Sequence, residues 1–176
     1  MKHFAAIPFV LLLAMPAITQ DMKHDDAMKD CPMRDQHKTH HARVESNGDQ
    51  AMGFPHDKTT HHFRMAKDGA AIEVTVNEAT DKANLEAIRS HLSQVAAMFG
   101  NGDFSTPMFV HGGVPPGVTT MKLMKETIRY SYEEMASGGR VRLQSNDAIA
   151  IAAIHDFIRF QITEHQTGDG FEVVSK

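Results

Sequence analysis

Residues 21–41 read DMKHDDAMKDCPMRDQHKTHH and gather Met22, Met28, Met33, Cys31, His24, His37, His40 and His41 in one polar stretch. Thioether, thiolate and imidazole are the side-chain donors that soft and borderline ions prefer, Cu(I) above all, whereas magnesium and calcium take carboxylates and carbonyls. The stretch therefore reads as a metal-collecting arm with copper as its first cargo, and its imidazoles would also accept Cu(II) or zinc. Uptake there should weaken as pH drops through the imidazole range, because a protonated ring cannot ligate. Cys31 is the single cysteine, so it cannot form an internal disulfide. In an oxidising compartment it is a free thiol, a metal ligand or an intermolecular bridge.

A second set of imidazoles lies further on: His61, His62, His91, His111, His155 and His165. No HExxH, HxH or CxxCH spacing is present, so any haem would be non-covalent and any metal site must be assembled by the fold. There is also no nucleophile elbow, and the sequence assigns no catalytic residue.

Three segments must position these groups. Residues 1–20 hold a basic start (Lys2), an apolar run from Phe4 to Met15 and small residues near Ala17, the layout of a secretory signal peptide and too short to span a membrane. The expectation is a periplasmic or secreted protein with no transmembrane segment once the signal is removed. Residues 21–57 are poor in aliphatic side chains and read as a mobile arm. Residues 58–170 carry the periodicity of a folded domain, and residues 171–176 are a tail. The formal net charge of −4, with basic residues scattered along the chain, argues against a nucleic-acid partner.

Within the domain, TTHHFRMA (59–66) and AIEVTVN (71–77) alternate as a half-buried hairpin. Asp81 then caps a helix with Leu85, Ile88, Leu92, Val95 and Phe99 on one face. A second hairpin carries Ile128, Tyr130 and Tyr132, then Val141 and Leu143, with Gly138-Gly139 at its turn. The helix that follows places Ile151, Ile154, Ile158 and Ile162 at helical spacing. The expectation is an α+β domain of duplicated ββα units, with halves at about 59–103 and 125–169. These would form a four-stranded antiparallel sheet with two helices packed on one face. The other face would show Arg64, Glu73, Thr75, Arg129, Glu133 and Arg142.

Strand parity aims His61 at the helices, with Phe63, and His62 at the opposite face. His91 and His155 sit at the edges of their helical stripes. His111 falls in FSTPMFVHGGVPPG (104–117), a Gly- and Pro-rich connection read as a loop and a candidate lid. Overlaying the halves sets Gln161 against Val95 and His165 against Phe99. Two polar groups thus replace core residues one helical turn apart, and burial demands that a hydrogen-bond network or a ligand satisfy them.

Cys31-Pro32-Met33 in its Met/His-rich setting resembles the leaders of exported bacterial copper-handling proteins and the start of a Cys-Pro-Met-His-Pro heavy-metal motif, with Arg34 and Asp35 in place of the His and Pro. The body, from MGFPHDKTTHHFRM (52–65) through HDFIRFQITEHQTGD (155–169), is similar to a family of small exported bacterial proteins of uncharacterised activity. That family resemblance implies no catalytic residues. Three function classes follow. The first is an exported copper-binding protein for sequestration, delivery or resistance, with a metal-transport or acceptor protein as its partner. The second is a His-lined metal- or haem-binding domain with ligand-binding or enzymatic activity. The third is an interaction module whose charged sheet face dimerises or docks on a transporter.

Overall fold

The computed structural model describes residues 32–174, with side chains from Asp35 onward. It is an α+β domain whose mixed sheet has five strands in the order β3-β4-β2-β1-β5. The first hairpin pairs β1 (Thr59–Ala66) with β2 (Gly69–Val76), and the second pairs β3 (Arg129–Met135) with β4 (Gly138–Gln144). The two hairpins join through the antiparallel pair β2–β4, in which Val74 faces Gly139 and Ile72 faces Val141.

This differs from four antiparallel strands. A short fifth strand, β5 (Val173–Val174), runs parallel to β1 at residues the sequence assigns to a tail, with Met65 opposite Val173. Two residues carry no readable alternation, so only the exposed edge of β1 reveals the pairing. Gly138 and Gly139 lie inside β4 rather than at the turn, which falls at Ala136 and Ser137.

Helix α2 (Lys82–Gly100) starts where the Asp81 side chain accepts the Asn84 backbone N–H at 3.1 Å. Helix α5 (Ala148–His165) starts where Asp147 accepts the N–H groups of Ile149 and Ala150 at 2.8 and 3.0 Å. Both helices lie on the apolar face of the sheet, but each crosses to the other hairpin. α2 covers β3 and β4, while α5 covers β1 and β2. The core between them includes Met65, Val74, Ile88, Leu92, Val141, Leu143, Ile154, Phe157 and Ile158. The opposite face is charged as its alternation foretells: Glu73 receives Arg64 at 3.3 Å and Arg140 at 2.8 Å, and Arg140 also reaches Glu133 at 3.2 Å.

Two regions depart further from the expectation. The 104–117 connection contains a helix, α3 (Ser105–His111), and leads into α4 (Val118–Leu123). Phe104 at its start is fully buried and stacks on Phe99 with ring centres 4.4 Å apart. Residues 32–52, inside the stretch read as a mobile arm, form helix α1 (Pro32–Met52). α1 lies against α3 and α5 and inserts Val44, which is 1% exposed. Asn47 donates to the carbonyl oxygens of Phe109 and Val110 at 3.3 and 3.2 Å. Specific side-chain bonds and one apolar anchor thus dock a helix whose composition shows no apolar stripe. Among the described residues no helix is long and apolar enough to cross a membrane.

Candidate functional site

Where α1 and its continuation meet β1, α2, α3 and α5, the fold collects imidazoles. β1 turns His61 inward, as its parity with Phe63 requires, and α5 brings His165 against it with ring centres 6.3 Å apart and ring planes within 5°. Met52, at the end of α1, places its thioether sulfur 3.3 Å from His61 Nε2. His111, at the end of α3, stands edge-on to His165 at 5.1 Å. His91 of α2 meets the Phe54 ring edge-on at 5.7 Å. Four of the six body histidines therefore converge.

The other two do not. His62 points to the opposite face, where its Nδ1 lies 2.9 Å from Asp169 Oδ1. Asp169 also accepts the Phe63 backbone N–H and the Thr167 hydroxyl. Burial pushes its pKa up, but those bonds and the His62 partner outweigh it and hold the carboxyl below its usual range. His155 directs Nε2 at the carbonyl oxygens of Ala66 and Gly69, at 2.9 and 3.0 Å, so it ties α5 to the β1–β2 turn. Of the arm donors, Met22, His24, Met28 and Cys31 lie outside the described residues, and Met33 falls in the first turn of α1. His37 is exposed on α1, while His40 and His41 are half-buried beside the cluster.

The polar pair singled out on α5 has a partner. His111 Nε2–H donates to Gln161 Oε1 at 3.2 Å, leaving Gln161 Nε2 and His111 Nδ1 buried without hydrogen bonds. Glu164 completes a chain across the site. Arg43 donates to His40 Nδ1 at 3.0 Å, which fixes the His40 proton on Nε2, and that N–H donates to Glu164 at 2.6 Å. The same carboxylate oxygen is 3.7 Å from His111 Nδ1.

Two hollows flank His61, His165 and Met52. The outer one, about 220 Å³, opens between α1 and β1 and is also lined by His41, Glu45 and Glu164. The inner one, about 80 Å³, lies between sheet and helices; Phe63, Val74, Leu92 and Phe157 line it together with His91 and Gln161. The three shared residues form a wall between a polar vestibule and an apolar pocket.

Burial lowers the pKa of each imidazole in this group. His61 falls to about 4, chiefly by desolvation and then by the neighbouring His91. His165 falls to about 3, by desolvation and then by His111 and His61. His91 is lowered by burial alone, and His111 by burial against the opposing pull of Gln161 and Glu164. These rings are neutral at pH 7, so their nitrogen lone pairs are not lost to protons. Among the described residues no three His, Cys or carboxylate side chains already stand in ligand arrangement. An ion held here would use the Met52 sulfur as a donor beside His61 and His165.

The depressed values carry a stability consequence. An unfolded histidine titrates near 6.5, whereas native His61 and His165 resist protonation until about pH 4 and 3. Between those limits the unfolded chain binds more protons than the native one, so stability falls as pH drops below about 6.5. Urea midpoints measured from pH 7 to pH 4.5 should decline. The decline should be shallower when His61 and His165 are both replaced by Leu. Equal slopes in the two proteins would show that these rings are not held neutral.

Sequence reasoning flagged His61, His91, His111, Gln161 and His165 but missed Met52, Phe54 and Glu164. Met52 sits at the end of a polar stretch, and only the docking of α1 gives it a neighbour across the chain. Comparison of the chain with family models, with curated proteins and with solved structures gives no match, so the functional reading rests on the side chains of this site.

Proposed function

We propose that this chain is an exported metal-binding protein that holds Cu(I) for sequestration, delivery or resistance. The observation that carries the reading is the wall formed by Met52, His61 and His165, a thioether and two neutral imidazoles at the boundary of the core. With bonds of about 2.0 Å to nitrogen and about 2.3 Å to sulfur, the 3.3 Å between His61 Nε2 and Met52 Sδ subtends about 100° at a shared ion, near tetrahedral. The His61 and His165 rings stack in near-parallel planes, so His165 would turn about its side-chain bonds to bring a nitrogen to the same ion.

Donor softness selects the ion, and the local charge tolerates it. A cation among neutral donors in a poorly solvated site needs countercharge, and Glu45 and Glu164 on the vestibule wall supply it. Small-molecule pockets begin at roughly 300 Å³, and both hollows are smaller, so the space favours an ion over a haem or another organic cofactor. The donors Met22, His24, Met28 and Cys31, which precede α1 in sequence, and Met33 in its first turn would add capture sites. The basic, apolar and small-residue pattern of residues 1–20 supports export. A delivery role would end on a second metal-binding protein.

The test is an anaerobic competition titration with Cu(I) and a coloured chelator, on the chain lacking residues 1–20. A second protein carries Met22, His24, Met28, Cys31 and Met33 all replaced by Ala. One tightly held equivalent should survive in the second protein. Loss of all uptake there would overturn the core site, and absence of uptake in both would overturn the function.

A further inference from the structure

One face of α1 carries His37, His41, Glu45, Gly48 and Met52, at steps of four, four, three and four residues, so these positions lie one above another along the helix. The stripe runs about 22 Å at 1.5 Å per residue, from exposed His37 to half-buried Met52. A surface hollow lined by His37, Lys38, His41, Glu45 and Gln166 shares His41 and Glu45 with the vestibule. The vestibule in turn ends on Met52, His61 and His165. His41 Nδ1 lies 3.3 Å from Glu45 Oε1 midway along.

Gly48 is the unexpected member. A glycine inside a helix destabilises it relative to alanine, and it is usually explained by a backbone passing too close for a side chain. Here a Cβ would meet only the tip of Met52, at 3.6 Å, an ordinary contact. No neighbouring backbone requires the glycine. What its missing side chain leaves is open volume in the vestibule wall.

We propose that this face of α1 is the entry route by which a soft monovalent cation reaches Met52, His61 and His165, with His41 as an intermediate donor and Gly48 keeping the passage clear. The inference rests on the core site proposed above. Side chains four residues apart on a helix stand about 5–6 Å from one another, so an ion can step from His37 to His41 and Glu45; beyond Glu45, where Gly48 offers no donor, it crosses the vestibule past Glu164 to Met52, His61 and His165. Glu45 offsets Lys38 at the mouth, and Glu45 and Glu164 together supply negative charge in the vestibule. Each step is a ligand exchange, with no change of oxidation state.

The experiment is stopped-flow transfer of Cu(I) from a coloured chelator complex to the chain lacking residues 1–20, compared with its Gly48→Leu, Gly48→Ala and His41→Ala variants. Equilibrium competition titrations are run on all four. Gly48→Leu should load the core site at least about tenfold more slowly and His41→Ala severalfold more slowly, while Gly48→Ala keeps the normal rate. The two Gly48 variants should keep the equilibrium affinity of the unsubstituted chain. Unchanged loading rates in both Gly48→Leu and His41→Ala, with the core site still filling, would overturn the route alone. Failure of the unsubstituted chain to bind Cu(I) in its core would overturn the site and the route with it.

Discussion

Replacing His165 by leucine is expected to lower the Cu(I) affinity of the core site by at least about 100-fold, while the fold stays as stable as before at pH 7 and becomes more stable at pH 5. Loss of a group that merely orients a ligand already lowers metal affinity by about 10- to 100-fold, and His165 is proposed as a ligand itself. Its ring packs on Phe63 at 5.6 Å and on His111 at 5.1 Å, and among the described residues it makes no hydrogen bond that an isobutyl group would break. Leucine fills much of the same apolar space and cannot take up a proton, so the drop in stability that a pKa of about 3 imposes below pH 6.5 is removed. Competition titration at pH 7 with urea midpoints at pH 7 and 5 would read both effects. Gln161→Leu is the contrast. It leaves His111 without its partner at 3.2 Å and is expected to alter stability more than copper affinity. Unchanged affinity in His165→Leu would remove the central donor from the proposal.

The legible parts of this fold are those where one side chain's burial follows from its own neighbours. Alternation along β1 was enough to send His61 inward and His62 outward, because one face of the strand must carry Phe63 and Met65. The overlay of α2 and α5 located the polar break at Gln161 and His165, and the structure supplies their surroundings in His111 and His61. α1 was illegible because its attachment is sparse: Val44 in the core, Asn47 on two carbonyls and His40 on Glu164. None of these leaves a periodic trace, and the two hydrogen-bonded residues reach partners more than sixty positions away. The exchange of helices between hairpins is equally silent, since the apolar face of α2 would look the same whichever hairpin it covered. Met52 follows from both omissions. A thioether next to a glycine and a phenylalanine acquires meaning only when α1 ends against β1.

Gly117→Ala is expected to destabilise the domain by about 3 kcal/mol and to weaken the support of His111. Gly117 has φ 81°, a left-handed conformation that imposes about 1–2 kcal/mol on a residue with a side chain. A Cβ there would also fall 2.0 Å from the carbonyl oxygen of Ala153 and 3.2 Å from the amide nitrogen of Phe157. Forcing a methyl group into a packed contact adds about 1–3 kcal/mol, and the obstacle here is helix backbone, which cannot rotate aside. Gly112 is the control, because its φ is 68° but nothing lies within 4 Å of a Cβ, so Gly112→Ala should show the conformational part alone, about 1–2 kcal/mol. Urea denaturation of both variants measures the difference, and equal losses would show that the approach of residue 117 to α5 contributes nothing. The consequence for the site is direct. Gly117 lets α4 begin against α5, and α3, just before it, carries His111 onto Gln161. The connection read as a lid is therefore part of the rigid frame: to swing open it would have to strip burial from His111, Val110 and Val118, so the entrance to the imidazole cluster lies on the α1 side.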